Sequence, residues 1–347
     1  APPDRRARPD AGPRHPRAAR RRARRSARAQ RKEAEVPPIV TLTMNPALDV
    51  TADTAKVEPE HKLRCSHATV DAGGGGVNVA RVITRLGGDV IAVYAVGGAT
   101  GEAYRRRLGE EGVRTQPVEI AGATRQNVTI DETETGAQFR FVMEGPSLSE
   151  AEWRRCLDAA DAALERDAWL VASGSLPPGA PEDFYARCVR LARDRGARIA
   201  VDCSGPALAA ALEEGPDLVK PNKRELSLLV GRSLDDPQEQ ERAASDLAES
   251  GASRMVALTL GPEGALLATR DDLVRSRAPH VSLSSAVGAG DSFTAALVMA
   301  LAEGRPAAKA LRRGVAAGAA ALLTPATELC QPGDVDRLDR ELAAMER

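Results

Sequence analysis

Gly288, Ala289, Gly290, Asp291, Ser292 and Phe293 stand in a row and open an apolar stretch that runs to Leu301. Glycines let the backbone bend tightly and present its N–H groups. A helix that begins there adds the positive end of its dipole. The N–H groups of Ala289, Gly290 and Asp291 can then cradle a developing negative charge. The Asp291 carboxylate stands at the mouth of that cradle, where it can take a proton from an attacking hydroxyl. An anion cradle and a base on one turn suit phosphoryl transfer to an alcohol. The same residues also read as a plain helix N-cap, with Asp291 or Ser292 as the capping side chain.

A second glycine run, Gly73 to Gly76, leads into Val77-Asn78-Val79-Ala80-Arg81. Val79, Val82, Ile83 and Leu86 then follow a helical period. The run lacks the Gly-Lys-Ser/Thr of a P-loop and the spacing of a dinucleotide fingerprint. It reads as a place where backbone comes close to a ligand, or else as a linker. The amphipathic helix that follows without polar spacers speaks against the linker.

Three further runs stand in order with these two: Thr43-Met44-Asn45-Pro46-Ala47-Leu48-Asp49, Lys220-Pro221-Asn222-Lys223-Arg224-Glu225 and Thr259-Leu260-Gly261-Pro262-Glu263-Gly264. Together they resemble the ribokinase-like (PfkB) carbohydrate kinase family over about residues 39–345. The resemblance implies an α/β three-layer sandwich with a mainly parallel central sheet and a small β-sheet lid. It implies ATP as phosphoryl donor and Mg²⁺ as its metal. Asp291 is then the base, with Gly288, Ala289 and Gly290 as the anion hole. Asp49, Gly74, Gly75, Gly76 and Asn78 are expected at the sugar. Asn222, Arg224, Thr259, Gly261, Gly264 and Val315 are expected at the nucleotide. Asn222 and Glu225 would hold Mg²⁺ through water, although Asn-x-x-Glu is equally a helix-capping pattern. Ser285 and Val287 mark a K⁺ site as a further expectation.

Lys62-Leu63-Arg64-Cys65, Thr124-Arg125-Gln126-Asn127, Ser173 to Gly179 and Gly314 to Gly318 resemble the branch of that family that acts on sugars already carrying phosphate. That implies fructose 6-phosphate as acceptor and fructose 1,6-bisphosphate as product. Fructose 1-phosphate and tagatose 6-phosphate remain alternatives, as does a catalytically silent sugar-phosphate binder. Arg125 is the expected grip on the phosphate, since a forked cation suits it; a lone Arg on a lid strand is otherwise a surface group. Ser175 is expected at the substrate, and Lys62 near the nucleotide phosphates. The chain departs from the family pattern at Ala286, Ala319, Thr324, Ala326 and Glu328, which leaves the cation loop and the adenine contacts open.

The 347 residues suffice for one large α/β domain with a small addition. Only nine are aromatic, so Val, Leu, Ile and Ala must fill the core. Residues 1–32 hold twelve Arg and one Lys against two Asp, and the rest holds 35 basic and 47 acidic residues. The body is therefore acidic and has no nucleic-acid footprint. Residues 1–35 are Arg, Ala and Pro without apolar periodicity, and are expected to be a disordered basic tail. Polyanion binding is one reading of that tail; a stretch upstream of a misassigned start is the one adopted. The five cysteines are scattered, with no metal-binding spacing, which reads as reduced thiols of a cytoplasmic protein. No apolar run reaches membrane-spanning length.

From Ile39 onward, β-like and α-like segments alternate, as in a parallel sheet covered on both faces. A kinase domain over 36–347 is expected. Two segments, about 51–70 and 123–142, alternate polar and apolar residues as half-exposed strands do. They are the expected lid strands, and in the resembled family such a lid also forms a homodimer interface.

Overall fold

The computed structural model describes residues 37–325 and 328–346. The expected basic tail lies outside them, as do Ala326 and Thr327 of the cation loop. The central sheet starts from β1 (Ile39–Thr43), flanked on one side by parallel β4 (Val90–Val96) and β5 (Thr115–Glu119). On the other side run β8 (Trp169–Ser173), β9 (Arg198–Asp202), β10 (Leu218–Val219) and β11 (Met255–Thr259), again parallel. Antiparallel β12 (Ala265–Thr269) and β13 (Leu273–Ser276) complete the nine strands. The order reverses direction between β1 and β8. Chain crossovers leave a crevice outside the carboxyl ends of the strands at such a point.

Alternation along each strand divides the core between two faces. Val40, Leu42, Leu170 and Ala172 pack on one side, under α3 (Glu150–Ala163), α4 (Phe184–Arg195), α5 (Pro206–Glu213), α6 (Lys223–Val230) and α7 (Pro237–Glu249). Ile39, Trp169 and Val171 face the other, under α1 (Gly75–Arg85), α2 (Gly98–Glu110), α8 (Ala289–Ala302), α9 (Ala307–Ala321) and α10 (Pro332–Met345). Helices α8 and α9 are rich in alanine, and Phe293 of α8 lies against Gly314 of α9. Small side chains let these helices approach closely, which is how a chain with few aromatics closes its core. None of the described helices is long and apolar enough to cross a membrane.

The lid is a separate four-stranded sheet in the order β3-β2-β6-β7. Its strands are β2 (Ala47–Thr54), β3 (Ser66–Gly73), β6 (Arg125–Glu132) and β7 (Gln138–Phe141). The segment 51–70 holds the end of β2 and the start of β3, and the stretch between these two strands is largely exposed. Asp49 lies within β2 of the lid and not on β1, because Pro46 breaks the chain away from β1 and the new strand starts at Ala47.

Candidate active site

The carboxyl ends of β1, β8, β9 and β10 gather a set of polar residues around the start of α8. Gly288 caps that helix with φ 74°, a left-handed conformation that glycine accepts without strain. No side chain caps it. The reading of Asp291 or Ser292 as a capping residue is thereby set aside, and the first N–H groups of α8, those of Ala289, Gly290 and Asp291, lack helical partners. Ser292 N donates to Gly288 O at 2.9 Å and begins the ladder.

The Asp291 carboxylate turns away from its own helix. Asn78 Nδ2 donates to Asp291 Oδ2 at 2.8 Å. Burial, chiefly, and then the nearby Asp202 carboxylate push the Asp291 pKa up to about 6, while Asn78 and Lys220 restrain the rise. Lys220 follows β10, is 8% exposed, and places Nζ 3.1 Å from Asp202 Oδ1. Burial works against its charge, but Asp202, Asp291 and Glu225 outweigh that and hold its pKa above the ordinary lysine value. A Cβ on Gly290 would lie 3.6 Å from Lys220 Nζ, so the ammonium sits beside the N–H cradle. Thr294 Oγ1 donates to Asp202 Oδ2 at 3.0 Å and fixes that carboxylate.

Lys220 and Asp202 carry no role in the sequence reading. Asp202 is a lone charged residue at a strand end, and Lys220 opens the run to Glu225 without a chemical role assigned to it there. The signal lies in topology, since strands β9 and β10 both end at the crevice.

The glycine run is built for close approach rather than slack. A Cβ on Gly73 would collide with the Asp49 carboxylate, and one on Gly75 with Ser173 Oγ. On Gly76 it would lie 2.6 Å from Thr43 Oγ1. Bare backbone at Gly74, Gly75 and Gly76 thus seats the start of α1 against the ends of β1 and β8, and this places Asn78 beside Asp291. Asp49 faces the same region from the lid. Asn127 Nδ2 donates to Asp49 Oδ1 at 2.8 Å from the paired strand β6. Burial raises the Asp49 pKa despite that bond.

Arg125, at the start of β6, spends its fork on backbone: Nη1 donates to Met143 O at 2.8 Å and Nη2 to Asn45 O at 3.0 Å. Its buried Nε has no hydrogen-bond partner among the described residues. Ser175 accepts from Asn45 Nδ2 at 3.1 Å, at the edge of a cleft of about 480 Å³ that Glu144, Gly174 and Cys203 also line.

Asn222 and Glu225 form a complete capping box on α6. Asn222 Oδ1 accepts from Glu225 N at 2.8 Å, and Glu225 Oε2 accepts from Asn222 N at 2.9 Å. The pair nevertheless keeps the other carboxylate oxygen free of the box. With Arg224 it lines a cleft of about 590 Å³ together with Gly205, Leu208 and Leu228. Thr259 closes β11 against this turn, its N–H donating to Pro221 O at 3.1 Å. Gly261 and Gly264 follow in the tight turn to β12, and Val315 is buried in α9. Ser285 is buried, and its Oγ accepts from Val287 N at 3.2 Å. Ser284 N donates to Leu322 O at 2.7 Å, joining that segment to the end of α9. Lys62 is not brought into this cluster: it lies in the exposed segment between β2 and β3, without a hydrogen bond among the described residues.

The chain was also compared with known proteins. The chain is 44% identical over 308 residues to the ATP-dependent 6-phosphofructokinase isozyme 2 of Mycobacterium tuberculosis, covering 89% of this chain and 90% of that one. A 1-phosphofructokinase of Rhodobacter capsulatus is 34% identical over 82% of this chain and 90% of its own. Among solved structures, the phosphofructokinase-2 of Escherichia coli matches in its complex with potassium, with TM-score 0.85 and 42% identity. It matches also in its complex with fructose-6-phosphate, with TM-score 0.84 and 41% identity. Both cover 88% of this chain and 99% of theirs. The sequence profile of the pfkB family carbohydrate kinases matches residues 38–333. The chain belongs to that family, and is a phosphotransferase with an alcohol acceptor.

Proposed function

We propose that the protein transfers the γ-phosphoryl group of ATP to fructose 6-phosphate. The observation that carries the reading is the Asp291 carboxylate, uncapped and turned to the crevice beside a bare helix N-terminus and the Lys220 ammonium. Asp291 accepts the proton of the sugar hydroxyl as its oxygen bonds to the γ-phosphorus and the bond to the bridging oxygen of ADP breaks. The N–H groups of Ala289 to Asp291 face the charge that develops in transfer, and Lys220 adds a positive charge beside them. Asp49 and Asn78 reach the sugar hydroxyls from lid and floor. The Glu225 carboxylate and Asn222, hard oxygen donors at the cleft wall, fit the water shell of Mg²⁺. When bound, Mg²⁺ shields the triphosphate charge. Ser285 and Val287 belong to the segment proposed for K⁺.

Arg125 supports a phosphorylated acceptor. Its unpaired buried Nε is a donor held in reserve, and a phosphate can replace a backbone carbonyl on its fork. The higher identity to 6-phosphofructokinases than to a 1-phosphofructokinase favours fructose 6-phosphate. A homodimer through the lid is part of the proposal, since Val70, Phe141, Val142 and Met143 expose apolar surface there. Five free thiols, four of them buried, suit a cytoplasmic location.

The test compares kcat/KM for fructose 6-phosphate, fructose 1-phosphate, tagatose 6-phosphate and fructose, in wild type and in Arg125→Ala. Fructose 6-phosphate should lead in wild type. In the variant its KM should rise about 10- to 150-fold, the loss of one hydrogen bond to a charged group. KM for ATP should hold, and activity on fructose should change far less. An equal loss on fructose and fructose 6-phosphate would show that Arg125 only ties the lid to Asn45. A lead for another sugar would move the acceptor.

A further inference from the structure

Between the lid and Asp291 lies a buried guanidinium that the proposed chemistry leaves without a role. Arg81 stands on α1, three residues after Asn78 and on the same face. It is 1% exposed. Its Nε donates to Glu111 Oε2 at 3.0 Å, and Nη2 lies 2.8 Å from Glu111 Oε1. Its Nη1 donates to Ala72 O at 2.8 Å, at the foot of β3, and to Asn78 Oδ1 at 3.3 Å.

A guanidinium has only donors, whereas an amide has one end of each kind. The end of Asn78 that faces Arg81 must therefore be its oxygen. Its Nδ2 then faces the opposite way and donates to Asp291 Oδ2. We propose that Arg81 is a positioning residue: it fixes the orientation of the Asn78 amide and, through that amide, the direction and ionisation of Asp291. The proposal rests on Asp291 as the base.

Without Arg81 the amide can turn and present its oxygen to the carboxylate. That contact repels, and Asp291 keeps its proton to higher pH. The other charged groups acting on Asp291 are Asp202 from β9, Lys220 after β10 and Asp49 from β2. None of them is bonded to Arg81. Around Arg81 itself, Asp71 lies 3.8 Å from Nη2, with Arg107 3.3 Å from Asp71, and Arg85 2.9 Å from Glu111. These pairs hold the guanidinium still, and none of them reaches Asn78.

Arg81→Lys keeps the charge but cannot span Glu111, Ala72 and Asn78 together. It should raise the acidic limb of the kcat profile by about half a unit to one unit, which lowers kcat roughly 3- to 9-fold at pH 5 and by less than about 2-fold at pH 7. KM for ATP should stay within twofold. In an Asn78→Ala background the same substitution should move the limb no further. Glu111→Gln should lower Tm and leave the limb in place, which separates positioning from general support of the fold. Carbon-13 NMR of the Asp291 carboxyl reads the same shift without turnover. A failure of Asp291 as the base, seen as an active Asp291→Asn, is thus distinguishable from a failure of this proposal. If Arg81→Lys does not fold, the paired change Arg81→Met with Glu111→Met removes the guanidinium and its main counter-charge together. A folded Arg81 variant with an unmoved Asp291 titration, or an equal shift in the Asn78→Ala background, overturns the proposal.

Discussion

At the scale of the residue, one carboxylate holds function and stability in opposition. Asp291 has its pKa pushed up to about 6. Below that pH the folded protein holds the proton that Asp291, as the proposed base, must be free to accept, so kcat should rise with pH through about 6. Stability runs the other way. In the unfolded chain the group ionises near its ordinary value of 3.8. Between the two values folding favours the protonated form, and above about 6 the folded state carries the full cost of an ionised, buried group. Asp291→Asn should therefore lower kcat by ~10²–10⁴ and yet raise Tm at pH 8. The gain in Tm should vanish below about pH 3, where both states are protonated. Calorimetry at the two pH values reads this directly. A variant that keeps a tenth of the wild-type kcat is incompatible with Asp291 as the base.

At the scale of the element, α6 shows how one motif serves two ends. The capping box on Asn222 and Glu225 is complete, so the pair starts the helix whether or not it also serves a metal. Glutamine can take the place of glutamate in such a box. Glu225→Gln should hence leave Tm nearly unchanged while raising the Mg²⁺ concentration for half-maximal activity. Glu225→Ala should lose both, with a stability cost of about 0.5–1.5 kcal/mol for the lost hydrogen bond to the Asn222 N–H. If Glu225→Gln leaves the Mg²⁺ dependence as it was, the pair is only a cap. The same element marks what the chain discloses by itself. Long periodic segments such as Glu150–Ala163 and Ala307–Ala321 are legible, because burial of one face writes a 3.6-residue pattern. The short helix Pro206–Glu213 and the strands Thr115–Glu119, Ala265–Thr269 and Leu273–Ser276 are absent from that reading. The helix is eight residues long, and β12 from Ala265 to Ala268 is apolar and buried on both faces, without alternation. At the site, Gly288 to Asp291 are legible as a local motif. Lys220, Asp202 and Arg81 are not, because they meet Asp291 or Asn78 only once separate strands and helices have been brought together.

At the scale of the whole molecule, the lid is the part whose environment the single chain leaves incomplete. A small sheet needs apolar cover to hold its shape, and its outer strands β3 and β7 are unpaired edges that invite another chain. Val70 is 41%, Phe141 49% and Val142 62% exposed on those strands and just beyond β7. The neighbouring Met143 accepts from Arg125 through its carbonyl, and its N–H donates to Asn127 Oδ1 at 3.1 Å. Asn127 in turn holds Asp49. The apolar segment is thus two hydrogen bonds from Asp49, the carboxylate proposed to face the sugar, so on that reading what covers the lid also steadies the sugar site. The wild-type protein should sediment as a dimer at micromolar concentration, with specific activity that falls on dilution. Phe141→Asp combined with Val142→Asp should sediment as a monomer and keep the central fold. Its KM for the sugar phosphate should rise, while KM for ATP, whose proposed contacts lie on α6, α8 and the β11–β12 turn, should stay close to wild type. A wild-type monomer with full activity at all dilutions would detach the lid from any role in assembly. Its exposed apolar residues would then need the bound sugar alone to order them.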